Sequence, residues 1–230
     1  MPDIILGGFS TDVTPPEVTA WAPTGTGVAR AANVVFDIWD EETGVDTDSL
    51  NVTVGGVDAV IAGVIQLADF TGSITDMGSG TWRVTLNPNV DFLSYATIDV
   101  KVNAQDLAPS PNIMDEFSWS FQVEDYEPPY VENNSPTGVD VPVTTLVEFD
   151  LKDDGTGVNI QSVTVTIGGT LAYDGTGVVD PDDGFQPDFQ GASSAITGTP
   201  TSYHFAIDAD PNYSEYVEYE VIVNADDLAP

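Results

Sequence analysis

The sequence predicts an all-β protein of two tandem antiparallel β-sandwiches, with the second stopping short of its last strand. Three observations carry that expectation. The 230-residue chain repeats itself at a nearly fixed spacing. Its apolar residues alternate with polar ones over short runs that stop at Gly, Pro, Asn or Asp. Almost no segment follows the helical period of 3.6 residues.

The repeat is visible residue by residue. Thr14-Pro15-Pro16-Glu17-Val18 returns 113 positions later as Glu127-Pro128-Pro129-Tyr130-Val131, and Val35-Phe36-Asp37-Ile38-Trp39-Asp40 returns as Glu148-Phe149-Asp150-Leu151-Lys152-Asp153. Val52-Thr53-Val54-Gly55-Gly56 returns as Val165-Thr166-Ile167-Gly168-Gly169. Near the ends Val102-Asn103-Ala104-Gln105-Asp106-Leu107-Ala108-Pro109 matches Val223-Asn224-Ala225-Asp226-Asp227-Leu228-Ala229-Pro230 at a spacing of 121, so the second copy carries an eight-residue insertion. The division expected is an amino-terminal arm over residues 1–13, a first sandwich over 14–125 and a second over 126–230. Each copy is near the commonest size of an independently folding domain.

In the first copy the pattern predicts strands at Glu17–Ala22, Asn33–Trp39, Leu50–Val54, Val57–Ile61, Trp82–Leu86, Ala96–Ala104 and Phe117–Val123. Alternation is clearest over Ile98–Ala104. There Ile98, Val100, Val102 and Ala104 face one way, and Asp99, Lys101 and Asn103 the other. Tyr219, Val221, Val223 and Ala225 take the inward places in the second copy. About seven short strands in a unit of this length fit a sandwich of the immunoglobulin kind. Pro15-Pro16 and Pro128-Pro129 cannot pair as central strands and stand just ahead of each copy. Residues 124–127 read as a short, semi-rigid junction. Two Gly-, Asp- and Ser-rich stretches, Leu67–Gly80 and Asp174–Pro200, read as long surface loops. The first copy continues past Pro109 into Ser118-Trp119-Ser120-Phe121-Gln122-Val123, whereas the second reaches Pro230 at the equivalent point. A sandwich without its final strand exposes a sheet edge. Either the protein continues, or a strand from another chain fills the gap.

With these residues in view, the chain resembles the tandem Ig-like repeats of bacterial surface proteins, adhesins and tailed-phage virions. The resemblance rests on the Pro-Pro openings, the Ser135-Pro136-Thr137-Gly138-Val139 turn, the Phe-Asp strands and the closing Asp-Leu-Ala-Pro segments. It spans Thr14 to Pro230, and the first copy is looser, with Ala22-Pro23-Thr24-Gly25-Thr26-Gly27-Val28 at the turn. It implies a structural role, on a virion surface or on a bacterial cell surface, with other virion proteins, copies of itself, or a host glycan or receptor as partners.

Composition narrows the function classes. The chain has 38 acidic residues against four basic ones, a formal net charge of −34, with 19 acids in residues 1–125 and 19 in residues 126–230. Such a surface repels phosphate backbones and anionic membranes, so neither nucleic-acid binding nor membrane insertion is expected. No run approaches the roughly 18 apolar residues of a membrane helix. The acidic start Met1-Pro2-Asp3 does not read as a signal peptide. With no cysteine and one histidine, thiol chemistry is absent and nucleophile–base pairs are confined to the neighbourhood of His204. His204 alternates with Tyr203 and Phe205 and stands where the first copy has Arg83, which reads as a solvent-facing place and not as a catalytic one. No enzyme is expected. A carbohydrate-binding role would rest on an exposed aromatic such as Trp39.

Calcium is the one cofactor the sequence brings up. Oxygen ligands for a hard cation could come from Asp37, Asp40 and Asp46 in the first copy and from Asp150, Asp153 and Asp154 in the second. Asp106 and Asp227 close their copies near the domain ends. Ile4, Ile5, Leu6 and Phe9 precede the first sandwich, belong to neither repeat as read here, and suggest an anchoring arm.

Overall fold

The computed structural model describes residues 11–228 and divides the chain into two compact units, between Glu124 and Asp125. The first unit contains β1 (Glu17–Ala22), β2 (Gly25–Val28), β3 (Val34–Trp39), β4 (Val45–Val54), β5 (Val57–Ile61), β6 (Val64–Ile65), β7 (Phe70–Gly78), β8 (Thr81–Pro88), β9 (Thr97–Asp106) and β10 (Phe117–Val123). They form a sheet of order β1-β3-β8-β7 and a second of order β2-β10-β9-β4-β5-β6. The pairings are antiparallel, except that β2 lies parallel to β10. The period of two places Phe36, Ile38, Val84 and Leu86 on the inner face of one sheet, and Val52, Val100, Val102 and Phe121 on that of the other, all buried. The β4–β5 hairpin turns at Gly55 and Gly56, both at positive φ (58° and 80°), which a tight hairpin turn demands of its two central residues.

The second unit contains β11 (Tyr130–Ser135), β12 (Val147–Lys152), β13 (Thr164–Ile167), β14 (Thr170–Asp174), β15 (Ala195–Thr199), β16 (Ser202–Ile207) and β17 (Val221–Asn224). Its sheets run β11-β12-β16-β15 and β14-β13-β17. Phe149 of β12 stacks on Phe205 of β16 with ring centroids 4.9 Å apart, and Tyr173 meets Phe205 edge-on at 5.3 Å. Both units are immunoglobulin-like β-sandwiches.

Three strands of the first unit lie outside the sequence expectation, and both stretches expected as loops need correcting. The Leu67–Gly80 stretch contains β7, an edge strand hydrogen-bonded along β8. Its Thr-Gly-Ser-Ile-Thr-Asp run is polar because only Phe70 is buried. Gly72 is required there, since a Cβ would sit 1.9 Å from the Thr85 carbonyl oxygen. Strands β2 and β6, of four and two residues, are too short to show a period. The Asp174–Pro200 stretch holds two 3-10 turns, Pro181–Gly184 and Pro187–Phe189, and then β15. It sends Phe185, Phe189 and Ile196 into the core, so the insertion is partly interior.

Tyrosine burial separates the two units chemically. Loss of solvation raises the phenols of Tyr173, Tyr203 and Tyr213 above their ordinary value of 10.0, Tyr213 to about 12. Tyr219 moves the other way, because its oxygen accepts the Ser214 amide. A phenol with a raised folded value adds stability that is complete below 10 and is lost as pH rises through that value. The one tyrosine of the first unit, Tyr95, is exposed. Alkaline titration from pH 10 to 12 is therefore expected to unfold the second unit first. All four tryptophans lie in the first unit, so indole fluorescence should hold steady while circular dichroism falls. The Tyr173 hydroxyl is buried without a hydrogen-bond partner. Tyr173→Phe should raise the stability of the second unit by about 1 kcal/mol in urea unfolding.

Candidate functional site

The most densely charged interior place is where β3 ends and β9 ends. Asp40 and Asp106 are 3% and 1% exposed, and with Asp12 they bring one carboxylate oxygen each to within 4.8 Å of one another. Asp40 Oδ1 accepts the amides of Thr43 (3.1 Å) and Gly44 (2.8 Å). Asp12 Oδ2 accepts the Thr43 hydroxyl (2.6 Å) and amide (3.2 Å). Asp106 Oδ1 accepts the amides of Ala108 and Asn112, and its Oδ2 accepts the Asn112 side-chain amide at 2.6 Å. The Leu107 amide then donates to Gly44 O, which ties the end of β9 to the loop after β3. The Thr43 hydrogen bond leads the effects that hold the Asp12 carboxyl well below the usual carboxylate range. Glu42 is displaced upward by its proximity to Asp12.

The second unit repeats the arrangement. Asp153 Oδ1 accepts the amides of Gly155 (2.8 Å) and Gly157 (2.7 Å), Asp125 Oδ2 accepts the amide and hydroxyl of Thr156, and the Leu228 amide donates to Gly157 O. Asp227 forms a bridge with Val158. Each unit is thus clasped by an aspartate ahead of its Pro-Pro opening, an aspartate after its Phe-Asp strand, and the turn those two hold.

The ligands expected from sequence are mostly committed elsewhere. Asp37 faces outward from β3 and holds Arg83 through two 2.8 Å hydrogen bonds, which lower its carboxyl. Asp150, at the same place on β12, accepts Asn133 Nδ2 and contacts His204 Nδ1, each at 2.7 Å, and is lowered first by Asn133 and then by His204. Asp46 accepts the Asp48 amide and Gln105 Nε2, and Asp154 contacts the Tyr130 hydroxyl. Of the six, Asp40 alone joins the three-carboxylate group. The reason is strand alternation: Asp37 and Asp150 lie on the outer face, whereas Asp40 and Asp153 follow the strand end and turn inward. Asp12, Asp40 and Asp106 are the residues that could hold a hard cation. Their present partners are amide and hydroxyl donors. Asp12 and Asp125 escaped the sequence reading, although the 113-residue spacing links them directly. His204 is exposed, with Asp150 on one ring nitrogen and Glu148 at 3.9 Å from the other, and Trp39 donates its indole N–H to Ser79 O. Ile4, Ile5, Leu6 and Phe9 lie outside the described residues.

A second feature is larger in the second unit than in the first. A cavity of about 220 Å³ opens between β11, β12 and β17, lined among others by Val131, Pro136, Phe149, Val221 and Val223. At the equivalent place in the first unit, where Trp21, Ala22, Val35 and Phe36 line a smaller cavity of about 140 Å³, β10 takes up part of the space. There Trp119 packs edge-on against Phe36 at 5.9 Å and donates its indole N–H to Pro23 O, while Phe117 meets Trp21 at 4.9 Å. Among the described residues no strand pairs with the outer edge of β17. In consequence Val221 is 39% exposed, whereas its counterpart Val100 is fully buried.

No family model matches the sequence, and a search of curated proteins finds no match. Among solved structures the chain is similar to a complex of Dpr11 IG1 with DIP-gamma IG+IG2 (10% identity, 91% of this chain and 96% of that one, TM-score 0.44). It is also similar to the Ig1-2 module of the Drosophila receptor protein tyrosine phosphatase DLAR (12% identity, 94% and 93%, TM-score 0.29). A third similarity is to the fibronectin(III)-like modules of Clostridium thermocellum CbhA (11% identity, 93% and 87%, TM-score 0.28). These likenesses are too distant to speak of activity or partner.

Removing a clasp carboxylate leaves buried amides without acceptors, which costs about 2 kcal/mol. Asp40→Ala should therefore lower the urea midpoint followed by indole fluorescence. Asp153→Ala should leave that midpoint in place and lower the second unit's transition, followed by circular dichroism.

Proposed function

We infer that this chain is a structural component of a tailed-phage virion, in which its Ig-like sandwiches project as a fibre or decoration and the amino-terminal arm attaches them to the particle. The observation that carries this reading is the duplication of a whole sandwich together with its Asp–Thr clasp. Such duplication extends a rigid surface and assembles no new reaction centre.

The outward cross-strand position gives further support. The one imidazole of the chain, His204, stands on the outer face between Asp150 and Glu148, in the place that Arg83 takes opposite Asp37. In both copies this outer position contacts the aspartate across the strands, His204 with Asp150 and Arg83 with Asp37, which supports reading His204 as a structural contact in a non-catalytic chain. The net charge of −34 keeps a densely displayed array soluble and unattractive to nucleic acid. Among the described residues no helix is long and apolar enough to cross a membrane.

Immunogold labelling with antibodies to the isolated chain tests the reading. Label is expected on the exterior of purified phage particles. Label confined to bacterial envelopes or extracellular filaments would overturn it in favour of an adhesin or filament fragment.

A further inference from the structure

We propose that β7, the open edge strand of the first unit, is a self-docking strand: β7 of a second copy pairs with it antiparallel about a twofold axis at Ile74, so that two copies share one continuous sheet.

The second unit shows the same edge closed from within the chain. β15 ends its sheet as β7 ends the corresponding one, and Ile196 lies opposite Phe205 as Ile74 lies opposite Val84. The Ile196 amide donates to Asp182 Oδ1 at 2.6 Å, so the 3-10 turn Pro181–Gly184 caps the outer side of β15. Next in the chain, Phe185 forms a bridge with Tyr173 of β14, and the insertion thereby closes the flank of the sandwich from β14 to β15. The first unit lacks that insertion. There the two-residue β6 lies beside β7 and, among the described residues, no strand pairs with the outer edge of β7. Ile74 holds the place of Ile196, so its amide faces outward, and alternation turns the amides of Gly72 and Asp76 the same way.

β7 also lacks the usual protections of an edge, which are brevity, lysine, proline or a bulge. It runs for nine residues without lysine or proline and is irregular only at its end, between Asp76 and Gly78. Val64 of β6, Leu67 in the loop ahead of β7 and Met77 within it add exposed apolar side chains. Backbone groups that need partners and apolar atoms that gain by burial lie on one flank, which suits strand addition.

Charge and register identify the occupant as the same strand. Two chains of net charge −34 repel unless they meet where charge is scarce, and Asp76 is the one ionisable residue of β7. Pairing about Ile74 sets Ile74 on Ile74, Ser73 of each copy opposite Thr75 of the other, and Gly72 opposite Asp76. The outward groups of residues 72, 74 and 76 then find partners, and the hydroxyls of Ser73 and Thr75 meet on the outer face. The two Asp76 carboxylates fall four residues apart along the strands, about 14 Å, beyond the screening length of about 8 Å at physiological salt. Identical patches meet, so association closes at two copies. A strand-to-strand contact buries less than about 1,200 Å², so the dimer is a weak one that forms at high protein concentration. The inference does not depend on the virion reading.

Sedimentation equilibrium of the full chain at about 0.15 M salt tests it. Mass should rise with concentration from one copy to two and stop there. Ser73→Asp/Thr75→Asp alters two exposed positions and leaves the fold intact, but it sets four carboxylates together across the axis and should hold the mass at one copy. Ser73→Lys/Thr75→Lys should do the same with four ammonium groups. An equimolar mixture of the two variants should recover the twofold gain in mass, because each acid then faces a base. A native chain that stays at one copy would overturn the proposal, as would growth beyond two copies or a dimer that survives in either variant alone. A mixture that stays at one copy would overturn the register about Ile74.

Discussion

A strand exists only where a neighbour takes up its backbone hydrogen-bonding groups, and that constraint organises both units. Among the described residues the two copies differ at β10, which has no counterpart strand in the second unit. With β10 present, the residues after the first Pro-Thr-Gly turn become β2, Val100 is sealed, and Trp119 bridges the sheets to reach Pro23 O. Among the described residues of the second unit no strand takes that place, residues 138–141 form no strand, and β17 has four residues where β9 has ten. In the first unit one strand thus supplies both the edge pairing and the interior cover.

The clasp answers a different problem. At the end of β3 or β12 the chain leaves the sheet and turns sharply, which strands amide groups in a buried place. A carboxylate placed there accepts two of them at once, and its charge strengthens each hydrogen bond. The acidic composition thus has two components. Some carboxylates, such as Asp40 and Asp153, are interior parts of the fold, and many others form a solvated anionic surface.

Much of the architecture was legible in the sequence because alternation and the repeat are strong, local signals. β1, β5 and β10 have the bounds that the pattern of side chains implies, and the inward placing of Tyr203, Phe205 and Ile207 follows from alternation alone. β7 was hidden because an edge strand with one buried residue has no apolar face to betray it. Phe185 and Phe189 were hidden because their neighbours are Gly, Asp and Pro, and only tertiary packing turns them inward. The carboxylate grouping was half legible. Asp40 and Asp106 drew attention by their acidity and position, but Asp12 joins them from 28 residues upstream of Asp40, a closure that no local spacing encodes.

The insertion of the second unit sets limits on how this protein can diverge. Because Phe185, Phe189 and Ile196 wedge into the interior, the stretch is not a free platform for sequence drift. Variation can be absorbed at its exposed positions, such as Thr176, Val179, Asp180, Asp188 and Ser193, whereas altering the wedge would unseat Tyr173 and Phe205 as well. A lineage under pressure to change its outward appearance could alter those exposed positions while the wedge beneath them stays fixed.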